Sequence, residues 1–155
     1  AEAMMVGSLF AGIAFSFARL GNVHAMSHPV SAFFDVPHGV ANAVLLPVVA
    51  EYNALADHGR YYKIYNYISE IPAYEDEFEP MMLVDAIRSL CKAIGIPANL
   101  TEAINRAGKT GSISRETIEE KIEAMAADAM KSGNIAVNLR SSRQCDIEML
   151  YRKAL

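Results

Sequence analysis

The 155-residue sequence contains no glycine-rich G-x-G-x-x-G turn, no sustained alternation of apolar and polar residues and no Asn-Gly hairpin turn. The dinucleotide-binding fingerprint and the usual marks of paired strands are therefore missing. Gly108-Lys109-Thr110 has the last residues of a P-loop, but the glycine required five residues before Gly108 is Ala103. The region reads as helix followed by loop, with Gly108 closing a helix C-terminus. There are two cysteines, Cys91 and Cys145, in separate helical patterns and without C-x-x-C spacing. They support neither a disulfide framework nor a thiolate zinc site. The formal net charge is only −4 and no basic stripe is interleaved with aromatics, so nucleic acid is not an expected partner. The longest apolar run, Val6 to Ala18, is shorter than a bilayer requires and stops at Arg19. Ala1 and Glu2 do not provide the basic start of a signal peptide. No membrane partner is expected, and the location is expected to be cytoplasmic.

What is present is helical period. Apolar residues recur at three- and four-residue intervals almost everywhere, which predicts an all-α fold. Ala3 to about Met26 reads as one long buried helix, with Gly7, Ala11, Ala14 and Ala18 forming a small-residue stripe for close helix packing. Gly39 to about Asn53 reads as the next, with Pro47 expected to kink it. Asp57 to Glu70 carries Tyr61, Tyr62, Tyr65 and Tyr67, read as packing and surface, with His58 as a solvated or capping residue at its start. The acidic stretch Pro72 to Glu79 reads as a surface loop. Further helices are expected from Pro80 to Ile94, from Leu100 to near Gly108, from a Ser114 cap to Lys131, and from Asp146 to Ala154. There is no internal repeat, low-complexity tract or long linker, so residues 1–155 read as a single domain.

Of four histidines, three stand close together as His24, His28 and His38, flanked by Pro29, Pro37 and Gly39. Imidazole is the commonest metal ligand and the usual proton shuttle near neutral pH, so this concentration marks a candidate site. His24 and His28 are four residues apart and share a helix face. Pro29 is expected to end or bend that helix, and the segment Phe33-Phe34-Asp35-Val36-Pro37 to return His38 to the neighbourhood. A metalloprotease H-E-x-x-H helix is ruled out, because the position of its glutamate base is Ala25.

The residues around the histidines extend the pattern: Ala11-Gly12-Ile13-Ala14-Phe15, Leu20-Gly21-Asn22-Val23-His24-Ala25-Met26-Ser27-His28-Pro29, Pro37-His38-Gly39-Val40-Ala41-Asn42-Ala43, Leu45-Leu46-Pro47 and Tyr52-Asn53. This resembles the iron-containing (group III) alcohol dehydrogenases. The likeness is close over the first third of the chain. It is weaker beyond, where Asn138-Leu139-Arg140 stands at the family's Asn-Pro-Arg.

The resemblance implies a multi-helix metal-binding domain like the C-terminal, dehydroquinate synthase-like α domain of that family. It implies that the family's N-terminal nucleotide-binding domain, with its Gly-Gly-Gly-Ser phosphate-binding turn, is absent from this chain. Carried over residue by residue, His24 and His38 match the last two ligands of a divalent metal, Fe2+ or else Zn2+. An aspartate and a first histidine would lie upstream. His28 matches the histidine beside the metal, a catalytic proton relay outside the ligand set, and Phe15 a position near the nicotinamide; a core aromatic is the other reading of Phe15. The implied activity is hydride transfer between an alcohol or aldehyde and NAD or NADP, with the metal as Lewis acid on the substrate oxygen. A homo-oligomer is expected on the same ground. The alternative from a different class is a stand-alone, non-catalytic helical metal-binding or interaction module.

Overall fold

The computed structural model describes residues 2–108 and 112–155, so Ala1 and the Lys109-Thr110 part of the P-loop comparison lie outside the described residues. Among the described residues there are helices and turns and no strand, in agreement with the all-α expectation. The helices are α1 (Glu2–Ala18), α2 (Gly21–Phe34), α3 (His38–Ala54), α4 (Arg60–Ile68), α5 (Pro80–Ala93), α6 (Leu100–Ala107), α7 (Arg115–Glu119), α8 (Ile122–Met130) and α9 (Gln144–Ala154), with a single 3-10 turn at Ile135–Val137.

Helix α3 is the central strut, packed on α2, α5, α6 and α9. Its residues Ala41, Val44, Leu45 and Val49 join Met26 and Val30 of α2, Ile122 and Met125 of α8, and Ile147, Leu150 and Tyr151 of α9 in the main core. A smaller cluster of Ala50, Tyr61, Leu83 and Val84 joins the far half of α3 to α4 and α5. Tyr61 is anchored there by donating its hydroxyl to the Ala50 carbonyl at 2.8 Å, and burial pushes its pKa up to about 12. The start of α4 is capped by the Asp57 carboxylate, which accepts from the backbone N–H groups of Arg60 and Tyr61, while His58 is exposed.

Three expectations from sequence are corrected. The long buried helix from Ala3 to Met26 is two helices, α1 and α2, meeting at 102°, and none of the α1 residues is buried. Nothing lies within 4 Å of a Cβ built on Gly7, so the small-residue stripe has no helix against it. Hydropathy marks a segment as able to be covered, but it does not supply the cover. No single described helix is long and apolar enough to cross a membrane; only α1 and α2 together reach such a length, across the bend.

Second, of the two outcomes expected at Pro29, an end or a bend, α2 does not take the first. It continues to Phe34 with Pro29 buried inside it, and terminates at Asp35 in the left-handed conformation. Proline removes one helical donor, and here the tertiary packing of Pro29 and Val30 outweighs that loss. Third, the helix expected from Ser114 to Lys131 is divided into α7 and α8 by a tight turn in which Lys121 N–H donates to the Ile118 carbonyl at 3.0 Å. The apolar face stays in phase across it, with Ile118, Ile122, Met125, Ala126 and Ala129 all fully buried, so the periodicity could not reveal the turn. The Ser114 cap is as expected, its Oγ accepting from Thr117 N–H.

The bend before α2 has a local cause. Arg19 and Gly21 both have positive φ, 61° and 68°, and the first N–H groups of α2 are satisfied from a remote loop. Leu20 N–H donates to Asn134 Oδ1 and Asn22 N–H to Asn138 Oδ1. A Cβ on Gly21 would stand 2.9 Å from Asn138 Oδ1. An L side chain in the left-handed region costs roughly 1–2 kcal/mol before any clash. Gly21→Ala should therefore destabilise the fold by at least about 2 kcal/mol, a fall in Tm of roughly 4–8 °C for a chain of this size. Thermal unfolding followed by circular dichroism checks it; an unchanged Tm would refute this description of the entry into α2.

Candidate metal centre

Helices α2 and α3 are joined by only Asp35, Val36 and Pro37. Asp35 stops α2, the Val36 side chain plugs into the core at 2% exposure, and the Pro37 carbonyl accepts the N–H groups of Val40 and Ala41 to start α3. The turn sets His38 at the first position of α3, opposite the face of α2 that bears His24 and His28. The three rings come together: His24 and His38 centroids are 5.2 Å apart, His28 and His38 5.2 Å in a stacked pair, and His24 and His28 6.4 Å edge-on.

The rings differ in their polar contacts. The Asn42 side-chain amide, one turn along α3 from His38, lies 3.0 Å from His38 Nε2 and 3.2 Å from His24 Nε2. His38 Nδ1 faces Ser27 Oγ at 3.4 Å, and the Ser27 hydroxyl donates to the His24 carbonyl at 3.2 Å. Ser27 is fully buried and Asn42 half-buried, so both rings rest on fixed groups. His28 is exposed and meets the other two through its ring alone. Burial, followed by the nearby His38 and His28, holds the His24 pKa below its ordinary value. A ring kept neutral is what metal ligation needs.

This geometry fits a divalent cation with chain nitrogens supplying part of the shell. Two imidazole Nε2 atoms converge on one small region, and the other ring nitrogen of His38 faces Ser27 of α2. Among the described residues, no group of three or more His, Cys, Asp or Glu side chains is placed to hold a metal ion. A cation here would need further donors besides this pair.

Phe15 sits on exposed α1, 46% accessible, and meets none of the three histidine rings among the described residues. Its reading as a core aromatic fails, since α1 buries nothing. Sequence alone assigns no role to Asn42 or Ser27. Asn42 stands four residues after His38 on the same helical face, the spacing that could have pointed to it. Asn138 and Arg140, which the sequence marks only by likeness to a family tripeptide, tie the start of α2 to the far end of α3. Asn138 Nδ2 donates to Asn53 Oδ1 at 2.7 Å, and Arg140 stacks 4.1 Å above the Tyr52 ring and donates to the Tyr52 carbonyl. Asn22, two residues before His24 and fully buried, donates to Ser142 Oγ at 2.7 Å.

Fold and site together define an all-helical structure that presents a histidine pair, suited to a metal, beside a third histidine. Residues 1–155 match the C-terminal part of the Fe-containing alcohol dehydrogenase family over the whole chain, and the chain belongs to that family. It is 36% identical over 154 residues to the 1,3-propanediol dehydrogenase of Citrobacter freundii, covering 99% of this chain and 37% of that protein. It is 34% identical over 154 residues to the lactaldehyde reductase of Escherichia coli, again covering 99% and 37%. A crystal structure of a 1,3-propanediol oxidoreductase superposes with a TM-score of 0.79 at 36% identity, covering 96% of this chain and 36% of that one. The chain thus spans little more than a third of the length of these relatives.

Proposed function

We propose that this chain is the metal-holding, C-terminal part of an NAD(P)-linked alcohol dehydrogenase that interconverts a small alcohol and its aldehyde. The convergence of His24 Nε2 and His38 Nε2 on one region, with the His38 ring also facing Ser27, supports this reading most strongly. In it His24 and His38 are two ligands of a divalent metal, iron or zinc. An aspartate and a further histidine from outside these 155 residues complete the shell. The bound metal supplies Lewis-acid polarisation of the substrate oxygen.

The chain's own residues do the rest. Asn42 and Ser27 hold the two ligand rings in place. His28, exposed and stacked on His38, accepts the proton lost from the substrate hydroxyl and passes it toward solvent. Phe15 offers an apolar face to the nicotinamide that a nucleotide-binding domain brings in. Residues 1–155 then form one helical unit, completed by that domain and working within a homo-oligomer.

Two constructions test this. The isolated chain, given Fe2+ or Zn2+ and NAD or NADP, is expected to show no alcohol oxidation, because its described residues form no recognisable nucleotide-binding turn to hold the cofactor at near-contact distance. Turnover at the 1–1,000 per second typical of enzymes, roughly, would refute the division of labour. A chimera in which residues 1–155 replace the matching segment of the Escherichia coli lactaldehyde reductase is expected to bind metal and oxidise or reduce a small alcohol–aldehyde pair. A folded chimera without metal or activity would defeat the proposal.

A further inference from the structure

The Asn42 amide is placed between two rings that no other described polar side chain shares. Its nitrogen lies 3.2 Å from His24 Nε2 and 3.0 Å from His38 Nε2, while its Oδ1 is buried and has no partner. An amide can be turned over in place, so the orientation must be argued. As it stands, the two amide protons go to two ring acceptors. Each ring then carries its own proton on Nδ1, and that of His38 is directed at Ser27 Oγ, whose hydroxyl in turn donates to the His24 carbonyl. Turned over, Asn42 would bury an NH2 with two unsatisfied donors in place of one unsatisfied carbonyl oxygen. The Ser27 proton would also have to leave the His24 carbonyl for His38 Nδ1. Orphaned N–H groups are the rarer and costlier fault, and the chain of donors closes only in the observed sense.

We propose that Asn42 is a positioning residue: one amide clamps His24 and His38 together in the Nδ1–H tautomer, with both Nε2 lone pairs aimed at the region where a cation would bind. This rests on the metal reading above in one respect only, the purpose of the clamp. A cation bonded to these nitrogens at about 2.0–2.1 Å uses the same two lone pairs, so it displaces both Asn42 hydrogen bonds. Asn42 is then the stand-in that keeps the ligand pair assembled until metal arrives. The Nδ1 protons remain where a metal-bound imidazole needs them.

Nitrogen-15 NMR of the metal-free chain, above the pH at which the imidazoles protonate, reads the tautomers directly. His24 and His38 are both expected as Nδ1–H. Asn42→Ala should return both rings to a mixture of tautomers, whereas Ser27→Ala should loosen His38 alone. Asn42→Asp places a carboxylate oxygen beside both nitrogens, turning the stand-in into a third donor. Cobalt(II), titrated by its visible absorption, should bind at least roughly tenfold more tightly to that variant than to the unaltered chain. Nε2–H tautomers in the unaltered chain, or tautomers unmoved by Asn42→Ala, would overturn the clamp, as would no gain in cobalt affinity for Asn42→Asp. Failure of the unaltered chain to bind cobalt saturably, with the Nδ1–H tautomers intact, would instead defeat the metal reading and leave the clamp standing.

Discussion

Replacing His24 or His38 by alanine is expected to lower the affinity of the chain for a divalent metal at least about 100-fold. Even partners that only orient a ligand commonly cost 10–100-fold when removed, and here one of two directly bonding nitrogens is lost. The two variants should be equivalent in kind, because each nitrogen faces the same region and each leaves its partner ring as a single-point ligand. His28→Ala should behave differently. His28 makes ring contacts and no hydrogen bond to the shared amide, so metal affinity should stay within about threefold of the starting value. In the lactaldehyde reductase chimera the same substitution should slow turnover or alter its pH profile, since a proton relay affects rate without holding the ion. Metal analysis beside steady-state rates separates the three. Should His28→Ala lose metal as completely as His24→Ala, the pair on one face of α2 would be the ligand pair and the assignment of His38 would be withdrawn.

The largest effect on stability is expected at Tyr151, which has no part in the chemistry. Its ring is fully buried between α9 and α2, and its hydroxyl donates to the Met26 carbonyl at 2.7 Å. Burial, with Asp128 nearby, pushes its ionisation far above the ordinary range, so it stays a neutral donor. Met26 lies between His24 and His28, and Tyr151 thus braces the helix that bears two of the three histidines. Tyr151→Ala removes a large buried side chain and leaves a cavity, at a cost of about 3–5 kcal/mol. For a chain of this length that is a fall in Tm of roughly 6–20 °C. Tyr151→Phe keeps the packing and loses one buried hydrogen bond, about 0.5–1.5 kcal/mol. Denaturant unfolding of the two variants measures the difference; equal stabilities for Tyr151→Ala and Tyr151→Phe would contradict the packing described here.

The parts of the fold legible in the sequence were those governed by local chemistry. Gly95 and Gly108 close α5 and α6 with positive φ, Ser114 caps α7, and the acidic segment before Pro80 is an exposed loop. The clustering of His38 with His24 and His28 was also legible, because a short turn stiffened by Pro37 leaves the chain little choice. What escaped depends on groups far apart in sequence. The break at Arg19 and Gly21 is held by Asn134 and Asn138, more than a hundred residues away. The persistence of α2 through Pro29 rests on packing against α3 and α8. No local pattern records either.

The same holds for α1. Its apolar run looked like a core helix, yet Phe10 and Phe17 are 65% and 88% exposed. At the site, residue type and a family likeness singled out the three histidines. Their division into a converging pair and an outlying ring required the positions of Asn42 and Ser27.

X-ray absorption at the metal edge of the zinc-loaded or cobalt-loaded chain tests most directly the claim that His24 and His38 together hold the ion. The expected spectrum shows two imidazole nitrogens at about 2.0–2.1 Å, with the remaining positions filled by oxygen, and one imidazole fewer in either His24→Ala or His38→Ala. Three imidazoles in the unaltered chain, or a count unchanged by His38→Ala, would contradict it.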